Sequence, residues 1–525
     1  MKFHTLCFFV LLVCLASCQI EDKNASLSIF KYNESSGINS LDPAFAKDQA
    51  SVWAVNQLFD GLVELDSNLR IKPAIAKSWS VSSNAKRYVF NLRTDVYFHS
   101  HPAFDSKKDR LVKASDFIYS FKRLTDKQLA SPGAWVMNNV ANYQAINDST
   151  LSISLYESFP PFLGLLSMSY CSVVPQKVVE SSVFRDHPIG TGPFHFQYWK
   201  DNIKLVFRKN TEFYEKGLPL LDAVSISFIK DKQSAFLEFL KGNLDFISGL
   251  DVSYKDEVLE KNGQLKAVYA DKIKLNTMPY LNTEYLGFLM DENNLSPSQH
   301  LAVRQAVNYG FDRKKMITYL RNNIGTPAIH GFIPKGLPAF SESYIAYDYN
   351  PSLAKALLNE HQLQNVQLTL HTTSSYLDLC EFMQSQLSEI GISIAINMNP
   401  PSTHRQMVAT SKLNFFRGSW IADYADAENY LALFYSKNFC PGGPNYTHFS
   451  SDEFDALYEA AMKEVSSQKR IGFYRKMNNI IMQEAAVVPL YYDQVVRFVQ
   501  NNIDGLPSNA MNLLELKTVS KTKFN

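Results

Sequence analysis

The chain has little cysteine, no excess of charge of either sign and, past its first residues, no long apolar run. Six cysteines occur in 525 residues. The four that follow residue 17 (Cys18, Cys171, Cys380 and Cys440) stand far apart without paired spacing. That argues against a disulfide scaffold and against a zinc site, and buried free thiols are the expected state. Basic residues number 52 and acidic residues 51. Without a basic stripe nucleic acid is not an expected partner, and without an acidic block there is no solvating tail. No segment after the N-terminus approaches the roughly 20 apolar residues of a membrane helix. Enzyme signatures are also missing: there is no G-x-S-x-G, no H-E-x-x-H and no P-loop. Gly190-Thr191-Gly192-Pro193 lacks the lysine and glycine spacing of a phosphate cradle and reads as a turn entering a strand. His99 and His101 would share one face of a strand, but two imidazoles do not make a metal site, and a solvated strand end is expected. No cofactor and no metal are expected.

The first eighteen residues carry the clearest positive signal. Lys2, an apolar run over residues 6–15 and then Leu15-Ala16-Ser17-Cys18 form a secretory signal too short to span as a membrane helix. The quartet resembles the bacterial lipobox, in which the cysteine becomes the lipidated N-terminus. Residues 1–17 are then a signal peptide, Cys18 is the lipidation site, and the protein works in the cell envelope, on the periplasmic or other extracytoplasmic face, held by a lipid anchor. Hydrophobic content of 46% over this length exceeds what one core supports, so two or more lobes are expected.

Helical and strand periods alternate along the chain, which predicts mixed α/β lobes. Tyr88, Phe90 and Leu92 alternate with polar neighbours, as do Leu151, Ile153 and Leu155, and both read as half-buried strands. Phe194, Phe196 and Tyr198, a polar turn at residues 200–202, then Ile203, Leu205 and Phe207 read as a hairpin. Val303, Val307 and Phe311 hold one helical face. After a capping box of Ser450 and Glu453, so do Phe454, Leu457, Tyr458, Ala461 and Val465.

Residues 73–98, PAIAKSWSVSSNAKRYVFNLRTDVYF, are similar to the signature of the peptide and nickel family (family 5) of extracytoplasmic solute-binding proteins of ABC importers. Further similar stretches follow in the family's order: SLDP at 40–43, LFDGLVELD at 58–66, LVKASDFIYSFKRL at 111–124 and PIGTGPFHFQYWK at 188–200. VRQAVNYGFDRKKM at 303–316, WIADYADAENYL at 420–431 and VVPLYY at 487–492 complete the set. One departure is Arg87, where the signature has a small or β-branched residue; a strand edge would tolerate it. The resemblance implies a periplasmic-binding-protein-like fold of two hinged lobes with an inserted subdomain. It places the first lobe at residues 18–63, 186–275 and 495–525, the subdomain at 64–185 and the second lobe at 276–494. It also implies a non-enzymatic receptor, taken to be a monomer, that delivers oligopeptides to ABC permease subunits.

In the oligopeptide binders a tryptophan-to-aspartate segment carries the anchor for the peptide ammonium, and here that segment runs from Trp420 through Asp423 to Tyr424. The resemblance therefore makes Asp423 the expected anchor, with Trp420, Ser419 and Tyr424 around it. Arg417 matches a position that can turn towards a peptide carboxylate, and an internal salt bridge is its equal alternative. Tyr376 and Val408 depart from the pattern where relatives present a histidine and an arginine. Trp135, Tyr280 and Tyr285 are candidate cleft aromatics, with core packing as the default. Another solute of the same family (dipeptide, glutathione, haem or a nickel chelate) and, in a different class, an envelope peptidase are the alternatives.

Overall fold

Two strands with apolar residues on both faces set the frame. Val487–Gln500 is buried throughout except at Asp493 and Gln494, which are half-buried, as befits a strand covered on both sides. It pairs antiparallel with Ile273–Phe288, and the register slips between Pro279 and Thr283, where proline has no N–H to offer. On one side the sheet continues through Phe415–Ile421, Val366–Thr372 and Ile392–Met398. On the other it runs through Phe246–Ser248, Ile29–Asn33, Ala223–Ser227, Lys204–Lys209 and Phe194–Lys200. Val499 packs in one lobe's core with Phe30, Trp53 and Phe207, whereas Val487 packs in the other's with Phe332, Phe434 and Met477. The long pair thus passes from lobe to lobe. The computed structural model describes residues 27–522 apart from 182, 183, 252 and 292–295, so Cys18 and the leader lie outside the described residues. Among the described residues no helix is long and apolar enough to cross a membrane.

Mixed α/β architecture is what the chain adopts. Ile29–Asn33 with Ala223–Ser227 and Val366–Thr372 with Ile392–Met398 are parallel, while Phe194–Lys200 and Lys204–Lys209 form the expected hairpin. A separate antiparallel sheet holds Ala76–Val81, Arg87–Leu92, Thr150–Leu155 and Val140–Asn147, in that spatial order. Tyr88, Phe90, Leu92, Leu151, Ile153 and Leu155 are all buried in it. Phe117, Phe121 and Leu124 of the helix Ala114–Leu124 close over them. Asp116 accepts the Lys113 backbone N–H at 2.8 Å and so satisfies one of the helix's free N-terminal donors.

Several local expectations need correction. Arg87 begins an internal strand, not an edge; its side chain stays exposed because it lies on the polar face, donating to Ser152 Oγ at 3.1 Å. His99 is buried, not solvated: its Nε2 lies 3.0 Å from the Gly192 carbonyl and its Nδ1 accepts the Gly190 N–H at 3.2 Å. Both ring nitrogens are therefore spent on the Gly-Thr-Gly-Pro turn, and burial depresses the imidazole to about 4. The turn must be glycine-rich because a Cβ on Gly190 or Gly192 would collide with the backbone of Leu58. Ser451, not Ser450, caps the helix Asp452–Lys463, accepting the Phe454 N–H at 3.3 Å, and Val465 lies past its end, exposed. Cys171, Cys380 and Cys440 are buried free thiols, as expected.

One buried charge shapes the cleft. Arg497 is fully buried and donates to Asn512 Oδ1 at 2.9 and 3.1 Å, to Pro507 O at 2.7 Å and to Leu513 O at 2.8 Å. Trp53 Nε1 donates to Asn512 O at 2.7 Å. Together they pin residues 507–513 against the first lobe, which sets Met511 and Leu513 into the cleft wall.

Candidate functional site

The strand Phe415–Ile421 ends at the cleft and turns into the short helix Glu428–Leu431. The Ala422 N–H donates to Leu281 O at 2.9 Å, tying the turn to the irregular part of the long strand. Asn429 clasps it: Oδ1 accepts from Trp420 Nε1 at 2.9 Å and from the Asp423 N–H at 3.1 Å, and Nδ2 donates to Asp423 Oδ2 at 3.1 Å. A primary amide can do this because it carries donors and an acceptor together. Among the described residues no Lys, Arg or His pairs with the Asp423 carboxylate.

That carboxylate stands between two cavities. The smaller, about 330 Å³, is lined by Lys47, Trp53 and Leu513 together with Tyr280 and Ile421. The larger, about 970 Å³, lies between Trp135, Asn139 and Phe159 on one wall and Trp420, Tyr435 and Tyr458 on the other. Asp423 and Tyr424 line both. The Asp423 side chain is open to the cleft but surrounded by protein, and this desolvation raises its carboxyl above the ordinary range, with the Asn429 bond opposing.

The larger cavity holds a second carboxyl, Glu428, which is 4% exposed. The Tyr424 and Tyr458 hydroxyls donate to its two oxygens. Burial pushes Glu428 up to about 7; the Tyr458 bond opposes this and the nearby Asp423 charge adds to it. It too has no cationic partner among the described residues. By contrast, Glu157 and Glu459 of the same cavity are paired, with Lys86 at 3.2 Å and Lys437 at 2.7 Å. In the smaller cavity Lys47 is exposed and makes no ion pair among the described residues.

Of the residues singled out from sequence, Trp420, Asp423 and Tyr424 come together at the cavities, and Arg417 and Ser419 do not. Arg417 is paired with Glu284, which is 3% exposed, and its guanidinium lies over the Tyr376 ring, 3.3 Å from the centroid. Beside it Arg321 pairs with Asp493 at 2.9 Å, and Asn282 bridges the two carboxylates at 3.1 and 3.3 Å. Tyr424 is buried in the core of the four-stranded unit, where an added Cβ at Gly164 would meet its ring at 3.3 Å. Trp135 and Tyr280 line the cavities, Tyr285 packs on Phe332 in the core and Val408 is buried.

Sequence reasoning missed Lys47, Glu428, Asn429 and Tyr458. Glu428 and Asn429 sit inside the matched 420–431 stretch, which is the sequence signal for them; Lys47 and Tyr458 carry none. One nucleophile-like constellation does form: Ser411 Oγ is 2.9 Å from both His448 Nε2 and Cys440 Sγ, and His448 Nδ1 is 3.5 Å from Asp291. It lines neither cavity, and Cys440 is buried.

The chain is 25% identical over 506 residues to the glutathione-binding protein GsiB of Escherichia coli O6:K15:H31 (strain 536 / UPEC), covering 94% of this chain and 93% of that one. Its fold is similar to that of HbpA2 from Haemophilus parasuis, with TM-score 0.83 and 21% identity over 94% of this chain and all of the other. It is similar also to DppA from Helicobacter pylori in complex with the peptide STSA, with TM-score 0.77 and 23% identity over 95% and 100% of the two chains. The model of the bacterial extracellular solute-binding proteins, family 5, matches residues 70–439, and the chain belongs to that family of two-lobed solute receptors for ABC import.

Proposed function

We propose that this protein captures short peptides in the cleft and presents them to its ABC permease, with Asp423 taking the peptide ammonium. The observation that carries this reading is the position of Asp423: oriented by Asn429, desolvated, without a cation, and facing both cavities. A carboxylate so placed is costly alone and well satisfied by a ligand ammonium. Lys47, on the opposite lobe and unpaired in the same smaller cavity, is the partner for the peptide carboxylate. Arg417 has the better donor fork for that task, but Glu284 already occupies it. Ligand held between Lys47 and Asp423 spans the two lobes and favours closure about the long strand pair. In this reading the lobes divide as the resemblance implies, at residues 64–185 and 276–494.

Calorimetry with one tripeptide in free, N-acetylated and C-amidated forms tests the assignment. Loss of binding on acetylation and in Asp423→Asn supports it; acetylated peptide bound as tightly as free peptide refutes it. The full-length match to glutathione-binding relatives favours a second reading, glutathione itself. Glutathione carries two carboxylates and the smaller cavity one unpaired lysine, so peptides fit better; a competition titration decides. We further propose that Cys18 carries the lipid anchor, and Cys18→Ser should abolish labelling by a clickable fatty acid.

A further inference from the structure

The larger cavity is not needed by the two ends of a short peptide. Lys47 does not line it, it is bounded by Trp135 and Phe159 on one wall and Tyr435 and Tyr458 on the other, and it shares with the smaller cavity only Asp423 and Tyr424. Anything that enters it from an ammonium held at Asp423 is a substituent of the first residue. Its walls are aromatic: Trp135 is 39% exposed, Trp420 and Phe159 face it, and Tyr435 and Tyr458 are stacked at 4.4 Å. Its charges are uneven. Glu157 and Glu459 are neutralised by Lys86 and Lys437, and Lys463 is exposed, whereas Glu428 lies buried at the inner end with only tyrosine hydroxyls for partners. One ligand ammonium can compensate Asp423; Glu428, whose carboxyl burial holds protonated up to about 7, has no cation among the described residues to ionise against.

We infer that the larger cavity is a subsite for a cationic first side chain, lysine or arginine, with Glu428 as its counter-ion and the aromatic walls as its sleeve. This rests on the ammonium assignment at Asp423. Cations bind aromatic faces and buried carboxylates alike, and each is stronger where water is excluded. An acidic first side chain would meet the Asp423 carboxylate and a buried carboxyl, with no cation at Glu428 to receive it, and is disfavoured.

The test uses the intact protein and matched tripeptides X-Ala-Ala in calorimetry, with X as lysine against norleucine and arginine against citrulline, each pair alike in shape and different in charge. The charged member should bind at least about tenfold more tightly than its neutral partner. In Glu428→Gln that ratio should fall towards one. A melting curve shows whether the variant is folded; if it is not, Trp135→Ala, on the exposed wall, should lower the same ratio. Equal affinity for charged and neutral members, with binding still abolished by N-acetylation, overturns this inference and leaves Asp423 as the anchor. If acetylation has no effect, the ammonium assignment fails and this subsite with it.

Discussion

Two clusters of charge lie along the same turn-and-strand segment, one sealed in the protein and one at the cleft, and they are built oppositely. Around Arg417 the account is closed: Glu284 and Asp493 face Arg417 and Arg321, Asn282 links the two carboxylates, and Tyr376 and Tyr491 cover the guanidinium groups. Around Asp423 it is open: two carboxyls, Asp423 and Glu428, have tyrosine and asparagine donors and, among the described residues, no cation. Burying a charge costs several kcal/mol unless it is paired. In the proposed reading the second cluster is the one a ligand cation completes. The two clusters use the same residue types and differ in whether an internal cation partner is present among the described residues.

The sharpest way to break this comparison is Asp423→Asn. If a ligand ammonium completes the open cluster, the variant should lose about 3 to 5 kcal/mol of peptide binding, on the order of a hundredfold to several-thousandfold, with little change in melting temperature. Calorimetry and a thermal scan check both halves, and wild-type affinity in the variant would remove Asp423 from the site. The mirror experiment is Arg417→Gln, which strands Glu284 and should lower folding stability by about 3 to 5 kcal/mol. Adding Glu284→Gln should restore much of that loss, a coupling that denaturant titration of the four proteins measures.

A smaller effect concerns pH. Glu428 titrates near about 7 in the fold against 4.5 ordinarily, so between those values the folded state holds a proton that the unfolded chain has released. Stability should therefore fall as pH rises through that window, with Glu428 contributing about 3 kcal/mol of the decline. Glu428→Gln should flatten the curve by that amount, and Asp60, also raised to about 7, should keep a residual slope. A steeper slope in the variant would show that Glu428 is not the buried acid described. The smallest effect is at the other end of the ligand. Lys47 is exposed, so Lys47→Ala or C-terminal amidation should cost about 1 kcal/mol or less, and more so at low salt than at high. A larger penalty than that of N-acetylation would invert the order of the two ends.

Much of the scaffold could be read in advance, and the matched stretches turn out to be scaffold contacts. Asp42 of SLDP receives both terminal nitrogens of Arg123 from the 111–124 stretch, at 2.9 and 2.5 Å. Arg304, Asn308 and Arg313 of the 303–316 stretch bond the carbonyls of Glu484, Val487 and Pro489, fastening the strand that carries VVPLYY. Strand period and helix face were legible at Tyr88 to Leu92 and at Val303 and Val307 because burial follows local pattern there. The site was legible only where it is contiguous. Trp420, Asp423 and Tyr424 share one segment, whereas Lys47 and Tyr458 reach the cavities from segments nearly four hundred residues apart or from a different helix, which pattern along the chain does not encode. Arg417 shows the same limit: its partner Glu284 is named only by the pairing of two strands.

Asp423 and Tyr424 are successive residues, yet one looks into the binding space and the other is driven like a bolt into the body of the four-stranded unit. A single peptide link therefore couples what the receptor holds to where a third part of the molecule sits. If ligand draws Asp423 towards the first lobe, the bolt must follow, and the helix Phe162–Leu166 that grips it should change its hydrogen-exchange rate on binding in the wild type but not in Tyr424→Ala.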